Sequence, residues 1–289
     1  MKKTFGEKLF DTCNILFMLL IAFVSIYPLW YVLVGSFSSG DAVSRGEVAW
    51  WIKEFTTDAY VGILELGIGT AYANTIFYTL VGTALNLVLT ILGAYVLSKK
   101  RLRGRSIFNK LILLSMWFTA GTIPTYLGFK NLGLLNTRLA VILCGAVATY
   151  YVILMRTYFE SIPDAMEEAA KIDGASDFRI LTQVYLPLST ASLVTIGLYY
   201  FVQRWNAYFW AMLLLQQAEE KMPLQVLLKK LVVEQSTNDS TAAAIDYNSV
   251  SRETTIFATI VVSTLPMIVL YPFIQKFFVK GVMVGAVKG

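Results

Sequence analysis

The chain has 289 residues, of which 56% are hydrophobic and 15% charged, with a mean hydropathy of +0.61. A soluble domain of this size needs more charge to cover its surface, so the composition points to membrane as solvent. The net charge of +5 does not signal nucleic acid, because the basic residues form no patch with interleaved polar contacts and instead sort by side of a membrane.

A hydrocarbon core of about 30 Å is crossed by about 20 residues of helix. Charge-free runs at 12–40, 66–98, 111–129, 139–155, 180–203 (continuing past Arg204 to 218) and 254–275 predict an all-α polytopic protein with six transmembrane helices. The first run follows Lys2 and Lys3 as a signal peptide would. Its apolar core is too long for one, it holds Pro28, and no clear cleavage site follows, so it reads as a retained helix. Cys13 in this run and Cys144 in the fourth read as packing residues; with no histidine and no other ligand at metal spacing, a zinc or haem site is not expected.

Orientation follows from lysine and arginine. With both termini cytoplasmic, fifteen basic residues lie inside, including the cluster Lys99, Lys100, Arg101, Arg103, Arg105 and Lys110, against eight outside. The outer side then carries loops at 38–68 and 217–254 and a short one near 130–137. Trp50, Trp51, Phe55 and Tyr60 in the first suit an interfacial helix at the headgroups. The polar stretch 234–241 in the second reads as loop. No internal repeat or separate soluble domain is visible.

Between the fourth and fifth spans lies a cytoplasmic segment, 161–187, that reads as two short helices joined by a tight turn. Ser161 is placed to cap the first helix, Pro163 fits its first turn, and Asp164, Glu167 and Glu168 suit its positive end. Gly174 fits the left-handed position that ends that helix, Ser176 is placed to cap the second, and Pro187 precedes the fifth span. Ala165, Ala169 and Ala170 form a small face that lets another protein approach closely. By composition alone, an ordinary interspan loop with an amphipathic helix stays open.

The run Glu168-Ala-Ala-Lys-Ile-Asp-Gly174-Ala, followed by Leu186-Pro187, resembles the EAA loop of permease subunits of binding-protein-dependent ABC importers. Trp205-Asn-Ala-Tyr-Phe-Trp-Ala-Met-Leu-Leu214 resembles the Trp-Asn segment of carbohydrate permeases, and the tail 280–289 is similar to that of the MalG-like half of oligosaccharide importers. Val184 and Ala191 depart from common isoleucine and proline positions, which touches only local kink geometry.

The resemblance implies a type I importer permease fold. Residues 1–70 would hold the N-terminal tail, first span and first outer loop; residues 71–289 would form the permease core with coupling loop 160–187. It implies a bacterial cytoplasmic membrane location, a homologous second permease, two cytoplasmic ATPase subunits that hold ATP and magnesium, an extracellular solute-binding protein and an oligosaccharide substrate. This chain itself would bind no cofactor, and it has no G-x-x-x-x-G-K-[ST] phosphate loop. Glu167, Glu168, Ala169, Ala170, Asp173, Gly174 and Pro187 are the expected ATPase-coupling residues. Loop 217–254 would meet the binding protein and tail 280–289 would lie near the ATPases.

Arg204 falls inside the fifth span, where a lone charge costs at least about 2.5–3.5 kcal/mol. With no Asp or Glu in any span, its counterpart is expected to be water, a loop acid, a partner subunit or the substrate. Gln203 and Asn206 could bond sugar hydroxyls, and Trp205 or Tyr208 could stack on pyranose faces; Arg204 would then favour acidic oligosaccharides such as uronides. Asn74 and Asn86 read as interhelical hydrogen-bonders. An importer for another polar solute is an alternative reading. An ion-coupled secondary transporter would need intramembrane acids or a repeat interface, and a membrane enzyme would need a nucleophile–base constellation.

Overall fold

The computed structural model describes residues 4–234 and 251–286, with side chains through 232 and from 251 to 272. Among the described residues every regular element is helical. The helices are α1 Phe5–Ser36, α2 Gly40–Ser44, α3 Asp58–Glu65, α4 Ile68–Ser98, α5 Arg105–Trp117, α6 Thr122–Asn131, α7 Arg138–Leu143, α8 Thr149–Glu160 and α9 Asp164–Ile172. They continue with α10 Asp177–Leu188, α11 Thr190–Trp205, α12 Phe209–Leu214, α13 Leu224–Glu234 and α14 Arg252–Ala286. Two compact units result, one from residues 1–68 with 228–266 and one from 69–227 with 267–289.

In the first unit, α1 starts at a capping box in which the Thr4 hydroxyl accepts from Glu7 N–H and the Glu7 carboxylate accepts from Thr4 N–H. Its apolar side chains from Phe5 to Leu33 are largely exposed, as suits a helix solvated by lipid or by another membrane subunit. Near its end, Val34 packs with Ala42, Val43, Val48 and Phe257. Gly35 makes this possible, since a Cβ there would sit 2.6 Å from the Phe257 ring. The expected interfacial helix takes another form. Trp50, Trp51 and Phe55 lie in irregular chain, and helix resumes only at Asp58. Trp30 Nε1 donates to the Trp50 carbonyl at 2.9 Å, and the Trp50 ring lies 4.7 Å from Tyr27.

In the second unit, three of the six expected spans are interrupted. Helices α5 and α6 meet at 110°, at a break where Gly121 has φ +85°. The run 139–155 is two helices parted at residues 144–148, with Gly145 at φ +70°. Helices α10 and α11 meet at 86° at Ser189. One turn of π-helix at Leu181–Tyr185 leads into Pro187, which has no N–H to offer the preceding turn, and the helix ends at Leu188. Three helices among the described residues are unbroken and apolar enough to cross a membrane: α1, α4 and the Arg252–Pro272 part of α14. The central core of the unit joins Tyr95 of α4, Met155 and Phe159 of α8, Ile180, Leu181 and Tyr185 of α10, and Ile196 and Tyr200 of α11.

Candidate functional site

The segment 161–187 folds as two helices, α9 and α10, around the turn at Gly174. Gly174 has φ +75°, its N–H bonds the Lys171 carbonyl, and Ala175 N–H reaches back to Ala170. These are the paired bonds of a Schellman ending, which favours glycine at the left-handed position. Ser176 caps α10, its hydroxyl accepting from Arg179 N–H. Ser161 does not cap α9: its hydroxyl donates back to the Tyr158 carbonyl at the end of α8, and Pro163 occupies the N-cap position.

The two neighbouring glutamates divide. Glu167 is 9% exposed and points into the unit, whereas Glu168 is exposed. Glu167 Oε2 accepts from Lys99 Nζ at 2.6 Å and Tyr185 Oη at 2.7 Å, and Oε1 from Lys171 Nζ at 2.5 Å. Burial pushes its pKa up, but the bonds from Lys171, Lys99 and Tyr185 outweigh that and hold it at about 2. The Lys99 ammonium lies 3.8 Å from the Tyr95 ring centroid and 4.0 Å from that of Tyr185. Burial draws the Lys99 pKa down, against the pull of Glu167.

Around this buried pair runs a ring of more exposed ones. Lys100 meets Asp164 at 2.6 Å, Arg101 meets Asp177 at 2.5 Å, and Arg105 pairs with Glu160. The basic cluster used to orient the chain therefore also grips the loop. Its match with the acids at 160, 164, 167 and 177 is a signal that sequence reasoning passed over.

The outward surface carries Ala165, Glu168, Ala169, Asp173, Gly174 and, on α10, Pro187, together with apolar Met166, Ile172 and Phe178. Ile172 is 87% and Phe178 72% exposed, and neither was singled out from sequence. Ala170 leaves the expected small face, because it packs half-buried against the core around Tyr185.

The residues expected along the pathway also separate. Arg204 is turned inward and finds a counterpart within its own chain. Its guanidinium donates to the carbonyls of Val141, Ile142 and Cys144 at 2.9–3.0 Å and to Asn86 Oδ1 at 2.9 Å. These carbonyls form the end of α7, where helical partners run out and the dipole is negative. On the far side of the same break, Ala148 N–H donates to Tyr200 Oη, which is also bonded to Thr90. Thus α11 supplies partners for backbone that the break would otherwise leave unsatisfied. Trp205 is buried too, edge-on to Tyr72 and stacked with Phe201. Gln203, Asn206 and Tyr208 remain exposed. Asn74 is interhelical as expected, donating to the Glu220 and Met222 carbonyls and accepting from Arg138. Cys144 is buried and Cys13 exposed on α1. The polar stretch beyond Glu234, and the side chains of the tail 280–289, lie outside the described residues.

An all-helical membrane protein with interrupted spans and a bolted helical elbow has the architecture of an importer permease. The family described as binding-protein-dependent transport system inner membrane component matches residues 105–284, and the chain belongs to that family. It is 38% identical to Protein LplC of Bacillus subtilis (strain 168), over 100% of this chain and 98% of that one. It is also 38% identical to the polygalacturonan/rhamnogalacturonan transport system permease protein YtcP of the same organism, over 98% and 99%. Among solved structures, a chain of a bacterial ABC transporter involved in the import of the acidic polysaccharide alginate is 44% identical, with a TM-score of 0.89 over 96% of this chain and 99% of that one. A chain of a bacterial alginate ABC transporter in complex with an alginate pentasaccharide-bound periplasmic protein shares the fold at 15% identity and a TM-score of 0.62, over 94% and 96%. The chain is thus an inner-membrane transport subunit rather than a catalytic one.

Proposed function

We propose that this chain forms half of the translocation pathway of an ATP-dependent importer of acidic oligosaccharides. It works with a homologous second permease, two cytoplasmic ATPase subunits that bind ATP and magnesium, and an extracellular solute-binding protein. Six membrane crossings with both termini cytoplasmic, one of them built from the bent pair α5 and α6, suit this role. The observation that carries the substrate class is the 44% identity, at a TM-score of 0.89, to a chain of an alginate importer. The relative named for polygalacturonan and rhamnogalacturonan adds a second uronic-acid polymer.

Coupling falls to the elbow. Its outward face sets small Ala165, Ala169 and Gly174 and apolar Met166, Ile172 and Phe178 beside the acids Glu168 and Asp173, a surface suited to a cleft of an ATPase subunit. Gln203, Asn206 and Tyr208 are exposed and face substrate hydroxyls, while Arg204 supports the wall behind them. The test is uptake by proteoliposomes holding the four-subunit complex and its binding protein. ATP-dependent accumulation of a labelled trigalacturonate, with none of maltotriose, is expected. Accumulation of maltotriose with exclusion of the uronide would overturn the substrate class.

A further inference from the structure

An elbow gripped by an ATPase moves the membrane helices only if it is fastened to them, and the bonds around Glu167 show where one fastening lies. Lys99 is the first residue after α4 and only 8% exposed. One ammonium meets three elements: the Tyr95 ring one turn back on α4, the Glu167 carboxylate on α9, and the Tyr185 ring on α10. The neighbouring pairs Lys100–Asp164 and Arg101–Asp177 are more than half exposed, where water and salt weaken them. An apolar residue would fill the Lys99 position at a lower desolvation cost but would make none of its directional contacts.

We propose that Lys99 is a positioning residue that fastens the elbow to α4, so that displacement of the elbow is carried into that helix. This rests on the elbow's being the ATPase-docking element. It differs from the docking face in a testable way, because Lys99 lies on the inner side, away from Ile172 and Phe178. Its loss should leave docking and ATP hydrolysis in place while fewer sugars cross per ATP.

The experiment uses the whole reconstituted complex and compares wild type, Lys99→Met, the charge-neutral double variant Lys99→Met/Glu167→Gln, and Lys99→Arg. The double variant removes the carboxylate together with the buried cation, so that Glu167 is not left with Lys171 and Tyr185 alone. In both methionine variants the ATPase subunits should co-purify at wild-type stoichiometry and basal ATP turnover should stay within about twofold, while sugar imported per ATP falls about tenfold or more. Lys99→Arg, which keeps the cation over both rings, should recover most of the ratio. An unchanged ratio in both methionine variants would overturn the proposal. So would loss of the ATPase subunits, which would place Lys99 in building the docking face rather than in transmission. Wild-type complex that neither retains ATPases nor imports sugar would instead sink the functional reading beneath it.

Discussion

Replacing Arg204 by glutamine separates a structural arginine from a substrate-reading one. The guanidinium makes four hydrogen bonds of 2.9–3.0 Å, three to the carbonyls of Val141, Ile142 and Cys144 and one to Asn86. Interhelical hydrogen bonds in membranes average about 0.6 kcal/mol and reach about 1.7, so four together contribute about 2–4 kcal/mol once their non-additivity is allowed for. The cost of placing the charge in the membrane does not offset this, because the unassembled helix in the bilayer bears it too. At about 2–4 °C per kcal/mol, the purified complex should melt about 4–16 °C lower. Intrinsic-fluorescence melting in detergent measures this, alongside initial uptake rates for trigalacturonate. Gly82 provides an independent handle: a Cβ there would lie 2.9 Å from Arg204 Nε and 3.1 Å from Cδ. With the guanidinium held at four points that side chain cannot swing away, so Gly82→Val should reproduce part of the melting loss. A melting temperature within about 1 °C of wild type, joined to a selective loss of uronide uptake, would refute the structural assignment.

Two further perturbations address the elbow. Gly174→Val places a β-branched residue at φ +75°, at a strain of about 1–3 kcal/mol in the turn. A Cβ at this position meets only open space, so backbone strain alone acts there. Membrane insertion should be normal and substrate-stimulated ATP turnover reduced; normal stimulation would contradict the lever. Glu167 titrates at about 2 in the folded chain against an ordinary 4.5. Its contribution, about 3 kcal/mol at neutral pH, is complete above about pH 4.5 and is lost as pH falls toward 2. Melting temperature should therefore fall more steeply with acid in wild type than in Glu167→Gln over that window, and parallel curves would show that the carboxylate is not held as the geometry requires.

Much of the fold is legible from charge-free runs, because a lipid solvent leaves long apolar segments few alternatives to helix. The interruptions are not. Hydropathy averages across Cys144–Ala148 and across Ser189 alike, and nothing local marks 144–148 as broken except Gly145. Partners that make that break tolerable, Tyr200 and Arg204, lie more than fifty residues away. The same distance explains the miss at Arg204. A search for an acidic counterpart inside the spans overlooks the carbonyls at a helix end, which offer negative charge without any acidic residue. At the elbow, Gly174 and Ser176 were readable because their roles are set by neighbouring backbone. Ser161 was not, since a serine hydroxyl between two helices can end one as easily as begin the other.

In the proposed coupling role, the inward and outward faces of the elbow make different demands on adjacent residues, which would account for the pair Glu167–Glu168. A short helix that is to be pushed must present small and apolar groups outward, where Ala165, Ala169 and Ile172 lie. It must also resist rolling under that load, which small side chains cannot ensure. The buried contacts of Glu167 with Lys99, Lys171 and Tyr185 supply the resistance from the other side. Tyr185 then leads through Pro187 and the 86° bend into α11, whose Tyr200 and Arg204 hold the break between α7 and α8. Apart from the backbone bend itself, these links are directional polar contacts, where a wrong pairing leaves a group unsatisfied. Substitutions along this line should therefore cost more than their burial alone would suggest, and those on the exposed face of α1 should cost this chain's fold less.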